Sequence, residues 1–180
     1  ATIAKEKGLE PLALLLFAQK PDCPLPEEAA KDYIDEEKSV SSVEEALQGA
    51  SDIMAEMISD DADIRTVLRD LMQANAVLRS LAATEEDSVY SRYYDYSEKV
   101  NRIPGHRVLA VNRGEKEGFL KVSVELDRDF ALQRVRRMVI RPGSRAMQFV
   151  RAAADDAYDR LIFPSMEREC RSALTDMACE

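Results

Sequence analysis

Apolar residues recur at steps of three and four along two neighbouring stretches in the first half of the chain. The first stretch begins at Ser42, which forms a helix-capping box pattern with Glu45, and its apolar positions line one helical face. The second runs from about 62 to 82 and carries Ile64, Leu71 and Leu78 on its apolar side. Only SDDAD separates the two stretches, so the pattern predicts two helices in an antiparallel hairpin.

Apolar and polar residues alternate with a period of two in the segment FLKVSVEL in the second half of the chain, and this predicts a short strand. A helical pattern precedes it from His106 to about Glu117, with Gly118 as the stop. Helical patterns follow it to the end, interrupted at Pro164. The predicted fold class is mainly α: a helical bundle or helix-turn-helix-like array with at most one short strand or β-hairpin.

The length of 180 residues predicts one helical region over 1–180, with a helical-hairpin part at 1–85. The part at 86–180 would hold a tyrosine-rich segment, the strand and long C-terminal helices. The chain opens on Ala1 and its helical pattern continues to the last residue, so we expect a fragment of a larger multidomain protein. No apolar run reaches the roughly 18 residues of a membrane helix. We therefore expect a cytoplasmic protein without a membrane partner.

Charge is distributed unevenly along the chain. The net charge is −9, which argues against a domain that wraps nucleic acid over its whole surface. Between Phe130 and Ala154, however, there is no acidic residue. This strip contains Arg134, Arg136, Arg137, Arg141, Arg145 and Arg151. Arginine suits bidentate phosphate contact, but the same residues could pair with the abundant glutamates elsewhere, and the sequence leaves both interpretations open.

Catalytic chemistry finds little support in the sequence. His106 is the only histidine, and the chain has no G-x-S-x-G elbow, so a capping or structural role at a helix start is the better interpretation. Gly105, Gly114 and Gly118 do not form a phosphate-binding motif. The acidic pairs lack the spacing of a calcium loop, and the cysteines lack metal-ligand spacing. We therefore expect no enzyme activity, cofactor, metal site or small-molecule substrate.

The tyrosine-rich segment EEDSVYSRYYDYSEKV allows two interpretations. Tyr93 and Tyr94 lie beside Arg92 and could stack on unpaired bases. Aromatic side chains also bury large areas, so the same tyrosines could anchor an irregular segment against the helices. We favour packing, and retain Tyr93 and Tyr94 as weaker candidates for nucleic-acid contact.

Several stretches, in order along almost the whole chain, resemble the Tex family of bacterial transcription accessory proteins. The most specific are IPGHRVLAVNRGEKEG and LIFPSMEREC. The family more often has serine where Gly105 stands. The resemblance implies a multidomain, largely helical, nucleic-acid-binding protein with a helix-turn-helix-like region, a ribonuclease-H-like domain, helix-hairpin-helix elements and a C-terminal OB-fold RNA-binding domain. This chain is similar to the helical segment before the ribonuclease-H-like domain.

The function predicted on this basis is a non-catalytic scaffold portion of a Tex-like protein that binds RNA or DNA chiefly through domains absent here. The arginine strip would be a secondary phosphate contact. That assignment depends on charge and composition alone, since the resemblance supplies no site residues. The alternative is a protein-interaction module that docks the transcription machinery without touching nucleic acid.

Overall fold

The computed structural model describes residues 1–180, which form two compact units. Unit 1 comprises Ala1–Arg65 and Leu132–Phe163, and unit 2 comprises Thr66–Ala131 and Pro164–Glu180. This division differs from the predicted parts at 1–85 and 86–180. In chain order the main elements are α1 (Thr2–Glu6), α2 (Glu10–Phe17), α3 (Pro26–Ala30), α4 (Val43–Asp60), α5 (Ala62–Asn75), β1 (Val77–Ala82), β2 (Asp95–Lys99), α6 (Gly105–Lys116), β3 (Leu120–Glu125), α7 (Arg128–Val139), α8 (Met147–Ala157) and α9 (Phe163–Ala178).

Unit 1 is organised around α4, which packs against α1, α2, α3 and α8. Both α4 and α8 bury several small residues: Ala46, Gly49, Ala50, Ala153, Ala154 and Ala157. Small side chains let neighbouring parts of the chain approach a helix closely. Gly49 illustrates this on the side of α4 that meets Leu9, just before α2, since a Cβ atom there would lie 2.2 Å from Cδ1 of Leu9.

The predicted start of α4 is confirmed. The Ser42 hydroxyl accepts a hydrogen bond from the Glu45 backbone N–H at 3.2 Å. The Glu45 carboxylate accepts one at 2.9 Å from the N–H of Ser41, one residue before the cap. These contacts satisfy donors that a helix start leaves open. The hydrogen bond from Ser41 is also the main reason that the pKa of Glu45 is lowered.

Unit 2 contains a three-stranded antiparallel sheet in the order β2-β1-β3. The prediction of at most one short strand or hairpin is therefore wrong, although the chain is mainly helical. The predicted strand at FLKVSVEL is present as β3. The predicted helix from 62 to 82 instead ends at Asn75, and its last residues form β1, the central strand.

The sequence pattern missed the strands β1 and β2 because β1 buries a polar residue and its partner β2 is largely polar. Leu78 and Ser80 both face inward in β1, and the Ser80 hydroxyl donates a hydrogen bond to the Tyr93 carbonyl at 2.8 Å. Because Ser80 is polar, Leu78 and Leu81 fit a helical period better than an alternating one. The strand β2 has the sequence DYSEK, which carries no apolar alternation of its own. The strand β2 is therefore specified by its pairing with β1 and not by a pattern in its own sequence.

The helix α6 packs closely on β3 in unit 2. A Cβ atom on Gly114 would lie 2.5 Å from Cδ1 of Leu120 and 3.1 Å from Cδ1 of Tyr90. The helix α9 adds a bidentate ion pair from Arg171 to Glu115, at 2.7 and 3.3 Å. Gly118, with φ +86°, ends the turn after α6 as the sequence predicts.

The predicted interruption at Pro164 takes the form of a π-helical segment, Tyr158–Ile162, just before it. Proline has no N–H, so residue 164 cannot complete the usual helical bond to the carbonyl of Arg160. The Phe163 N–H donates instead to the carbonyl of Tyr158, five residues back. The helix then resumes as α9.

Candidate nucleic-acid interface

The predicted arginine strip lies in unit 1, on the second half of α7 and the segment after it. Arg134 and Arg137 are exposed and stand three residues apart on one face of α7, about 4.5 Å along its axis. Arg141 and Arg145, also exposed, follow the end of the helix. The fold therefore presents four of the five predicted arginines to solvent.

Arg136 differs from the other four. It points towards α8 and forms a bidentate pair with Asp155, with nitrogen–oxygen distances of 2.9 and 2.6 Å. Both side chains are about three-quarters buried, at 24% and 26% exposure. Such a pair neutralises the arginine and holds α7 against α8. Arg136 stays a predicted phosphate ligand, but its geometry serves packing first.

Arg141 is held in place by the end of α2. Its guanidinium donates to the Ala18 carbonyl at 3.2 Å, and its backbone N–H donates to Oε1 of Gln19 at 2.9 Å. The Gln19 amide in turn donates to the carbonyls of Val139 at 2.9 Å and Phe17 at 3.2 Å. This glutamine thus ties the C-terminal ends of α2 and α7 together.

Gln19 is unusual in two further respects. It is 5% exposed and has a positive φ of 49°, a conformation that non-glycine residues adopt at a cost. Buried polar groups are stable only when hydrogen-bonded, and here the amide uses both its oxygen and its nitrogen. No sequence pattern predicts this role, because a lone glutamine after an apolar helix is ordinary.

A cavity of about 450 Å³ opens beside Arg141, and sequence reasoning did not anticipate it. Its apolar lining comes from Phe17, Ala18, Met57, Ile58, Ile64, Met138 and Val139. Its charged lining is Arg141 on the α7 side and Asp61 and Asp63 at the start of α5. Asp61 caps α5 by accepting the Ile64 N–H at 2.9 Å, whereas Asp63 is exposed. Met138 is 43% exposed at the rim.

The two candidate tyrosines lie in unit 2, apart in the chain from the arginines. Tyr93 is 5% exposed, and its ring meets that of Tyr96 edge-on at 5.1 Å. Arg92 lies over the Tyr93 ring at 5.5 Å. The hydroxyl of Tyr94 is bonded to the Glu86 carbonyl and to Ser88. These contacts favour the packing interpretation, and base stacking by Tyr93 and Tyr94 stays a prediction.

The remaining titratable cluster joins β2 to α6. The hydroxyl of Tyr96 is hydrogen-bonded to Glu98, and Arg107 lies 3.4 Å from the same carboxylate. Burial and the bond to Glu98 raise the pKa of Tyr96. His106, the next residue to Arg107, is exposed in the first turn of α6. The cluster orients the helix on the sheet.

The fold and the exposed arginines together define the class of protein: a mostly helical module with a small antiparallel sheet and an exposed arginine row, formed by Arg134, Arg137, Arg141 and Arg145. None of its helices is both long and apolar enough to span a bilayer. A family model described as Tex central region-like matches residues 23–180. The chain belongs to this family, and the resemblance to Tex proteins is confirmed.

Relatives from bacteria and animals share the similarity. The chain is 40% identical over 185 residues to protein YdcI of Bacillus subtilis (strain 168), covering all of this chain and 26% of that protein. It is 35% identical over 147 residues to protein tex of Bordetella pertussis, covering 80% and 18% respectively. It is 30% identical over 192 residues to the human S1 RNA-binding domain-containing protein 1, covering 97% and 19%. The chain thus spans about a quarter or less of these relatives.

Proposed function

We propose that the chain is a non-catalytic scaffold within a nucleic-acid-binding transcription accessory protein, and that it adds a secondary phosphate contact through its arginine row. The observation that carries the proposal is the exposure of Arg134, Arg137, Arg141 and Arg145 on one region of a chain whose net charge is −9. The names of two relatives support it: one is a transcriptional accessory protein Tex, and another is an S1 RNA-binding domain-containing protein.

The proposed mechanism is neutralisation of the phosphate backbone. Arginines on an exposed helical surface displace condensed counterions, so affinity falls steeply as salt rises. Such contacts fix position along the strand but read no sequence themselves. Arg136 is expected to contribute less than its neighbours, because Asp155 already neutralises it.

The non-catalytic part of the proposal depends on the surroundings of the single histidine. His106 sits at the exposed start of α6, beside an Arg107 that is engaged with Glu98. Acid–base or nucleophilic catalysis needs a partner group aligned with the imidazole. A His106→Ala change is therefore expected to leave every activity of the full protein intact. Loss of an activity on this change, with the fold preserved, would contradict the proposal.

Fluorescence anisotropy of the 180-residue chain tests the phosphate contact. Labelled single-stranded RNA, single-stranded DNA and duplex DNA are titrated at low and near-physiological salt. The double change Arg134→Ala/Arg137→Ala should weaken binding and lower the salt slope by about 0.7 per lost contact on a single strand. The matched control, Arg102→Ala/Arg168→Ala, removes two exposed arginines of unit 2. Equal losses in both variants, or no binding at low salt, would overturn the proposal.

A second candidate function is protein docking, and a groove in unit 2 favours it. The groove has a volume of about 460 Å³ and lies among α5, α9 and the segment after β2. Met72 and Met166 lie in its floor, and Met177, 42% exposed, lies at its edge. Methionine-rich surfaces adapt to apolar partner helices. Under this alternative, Met177→Glu weakens binding to the transcription machinery while nucleic-acid anisotropy is unchanged.

A further inference from the structure

We infer that the cavity beside Arg141 receives one unstacked guanine of a single-stranded nucleic acid whose backbone follows the arginine row. The inference rests on the proposed function, because the row must first bring a strand to this surface. It adds a base-binding site and a base preference to what would otherwise be a contact with phosphates alone.

The cavity lies next to the arginine row. Arg141 belongs both to the arginine row and to the cavity wall. A phosphate held by Arg137 therefore leaves the attached base within reach of the opening, where Arg141 can contact it. Cavities of roughly 300–1,000 Å³ accommodate small organic ligands, and this one, at about 450 Å³, has room for a purine.

The cavity has an apolar lining that suits the face of a base. Ile58, Ile64 and Val139 are almost fully buried and form the inner surface. Phe17 and the half-exposed Met138 stand further out, where a base face can pack against them. Stacking or apolar contact of this kind tolerates any base, so it explains entry but not selection.

The charges in the cavity wall do select between bases. Guanine offers acceptors at O6 and N7 and donors on its Watson–Crick edge, including the N2 amino group. Arg141 supplies donors from one wall, and the exposed Asp63 supplies a carboxylate acceptor from the other. Adenine presents an amino donor where guanine has O6, so it would meet the arginine with the wrong polarity.

Hydrogen bonds hold both walls of the cavity in place before a ligand binds. Gln19 fixes the backbone of residue 141 at 2.9 Å, and the Ala18 carbonyl fixes its guanidinium at 3.2 Å. The opposite wall is fixed by the Asp61 cap of α5. The strained backbone of Gln19 marks a site where local stability is exchanged for a defined geometry.

The test uses the 180-residue chain and 12-nucleotide labelled oligouridines that differ only at one central position: guanine, adenine, cytosine or an abasic sugar. All four carry the same phosphates. We expect the guanine oligonucleotide to bind about tenfold more tightly than the abasic one, the order of discrimination of one good bidentate contact. Adenine and cytosine should fall between them.

Two variants separate base recognition from charge. Asp63→Asn should reduce the guanine preference to about twofold or less without weakening the abasic oligonucleotide. It replaces a charged carboxylate, which only accepts hydrogen bonds, with a neutral amide that has one acceptor oxygen and a competing NH2 donor, and it removes no positive charge. The matched control is Asp60→Asn, which makes the same charge change at an exposed residue outside the cavity, and it should keep the preference. Met138→Ala should weaken the three oligonucleotides that carry a central base more than the abasic one, whose remaining bases are all uracil. Thermal unfolding followed by circular dichroism checks that each variant is folded.

The outcomes distinguish the two levels of the hypothesis. Salt-sensitive binding that is equal for guanine and abasic oligonucleotides overturns the base site and leaves the proposed phosphate contact standing. Binding in which another base ranks first, or in which Asp63→Asn and Asp60→Asn behave alike, overturns the assignment of guanine to this cavity. Absence of binding to any oligonucleotide at low salt overturns both.

Discussion

The two units of this chain owe their structure to different kinds of interaction. In unit 1 the burial pattern of the central helix α4 is visible in its own sequence, since α4 carries its own cap and its own apolar face. In unit 2 the central strand β1 is defined by its partners on both sides, β2 and β3, which lie about 20 and 40 residues away in the sequence. Local periodicity therefore describes the first unit better than the second.

The candidate nucleic-acid contacts in the two units also differ in their exposure. Of the exposed arginines, Arg134 and Arg137 lie on α7, and Arg141 and Arg145 lie on the segment after it, so none of them is part of a strand. The tyrosines lie in the segment that leads into the sheet, where Tyr93 is buried and bonded through its carbonyl to Ser80. Residue types that suit nucleic-acid contact occur in both units, but these candidate arginines of unit 1 are exposed, whereas the candidate Tyr93 of unit 2 is buried.

The largest expected effect concerns the central strand. Leu78 is 1% exposed in β1, so Leu78→Ala should lower the free energy of unfolding by about 2–5 kcal/mol. Leu81 in the same strand is 40% exposed, and Leu81→Ala should cost much less. Urea denaturation of both variants checks this. Equal losses would mean that the strand does not present alternate residues to the core, and the contrast between the units would fail.

The next effect compares a glycine from each unit. Gly114→Ala should destabilise the protein by about 1–3 kcal/mol, because its Cβ atom would lie 2.8 Å from Cγ of Leu120, which cannot move as freely as a terminal methyl. Gly49→Ala meets mainly Cδ1 of Leu9, at the end of a side chain, and both substitutions gain about 1 kcal/mol of helix propensity because both glycines lie inside helices. The net effect of Gly49→Ala should be smaller. Comparison of the thermal unfolding temperatures of the two variants shows which substitution destabilises the protein more.

These contrasts also explain how much of the molecule could be predicted from its sequence. The capping box at Ser42, the helix stop at Gly118 and the strand β3 were predicted because each has a local signature. The strand β1 was missed because Ser80, although buried, is polar. The exposed arginines were found from composition. The side chain of Arg136 is turned towards Asp155 because α8 packs beside α7. No local sequence pattern reveals this packing.

The cavity was missed for a related reason. It is assembled from the ends of α2, α4 and α7 and the start of α5, and its geometry depends on Gln19. No spacing rule places residues 19 and 139 side by side. Sequence reasoning locates surfaces that one helix builds alone, and fails for sites that several helix ends share.

A third prediction tests the role of Gln19 in unit 1. Gln19→Ala should lower stability by about 1–3 kcal/mol, because the carbonyl of Val139 and the N–H of Arg141 lose a buried partner. Gln19→Gly loses the same amide but accepts a positive φ without strain. It should therefore be the more stable of the two variants in urea denaturation. The reverse order would show that backbone strain at this position is not significant.

The smallest effect concerns the pH dependence of the α4 start. The Ser41 N–H lowers the pKa of the Glu45 carboxyl, so the folded state holds the ionised form more tightly than the unfolded state does. This contribution is present above the unfolded pKa, about 4.3, and is lost as pH falls through the lower folded value. The difference in stability between the parent chain and Glu45→Gln should therefore be larger at pH 7 than at pH 3, in urea denaturation at both values.

Glu44→Gln supplies the matched control, since Glu44 is exposed in the same first turn and lies equally close to the positive end of the helix dipole. If both variants show the same pH dependence, the dipole alone accounts for it and the contact with Ser41 adds nothing. A larger dependence for Glu45→Gln assigns the effect to the hydrogen bond. That result would support the view that the start of α4 is specified by local contacts. The strand β1 differs, because its partner strands are distant in the sequence.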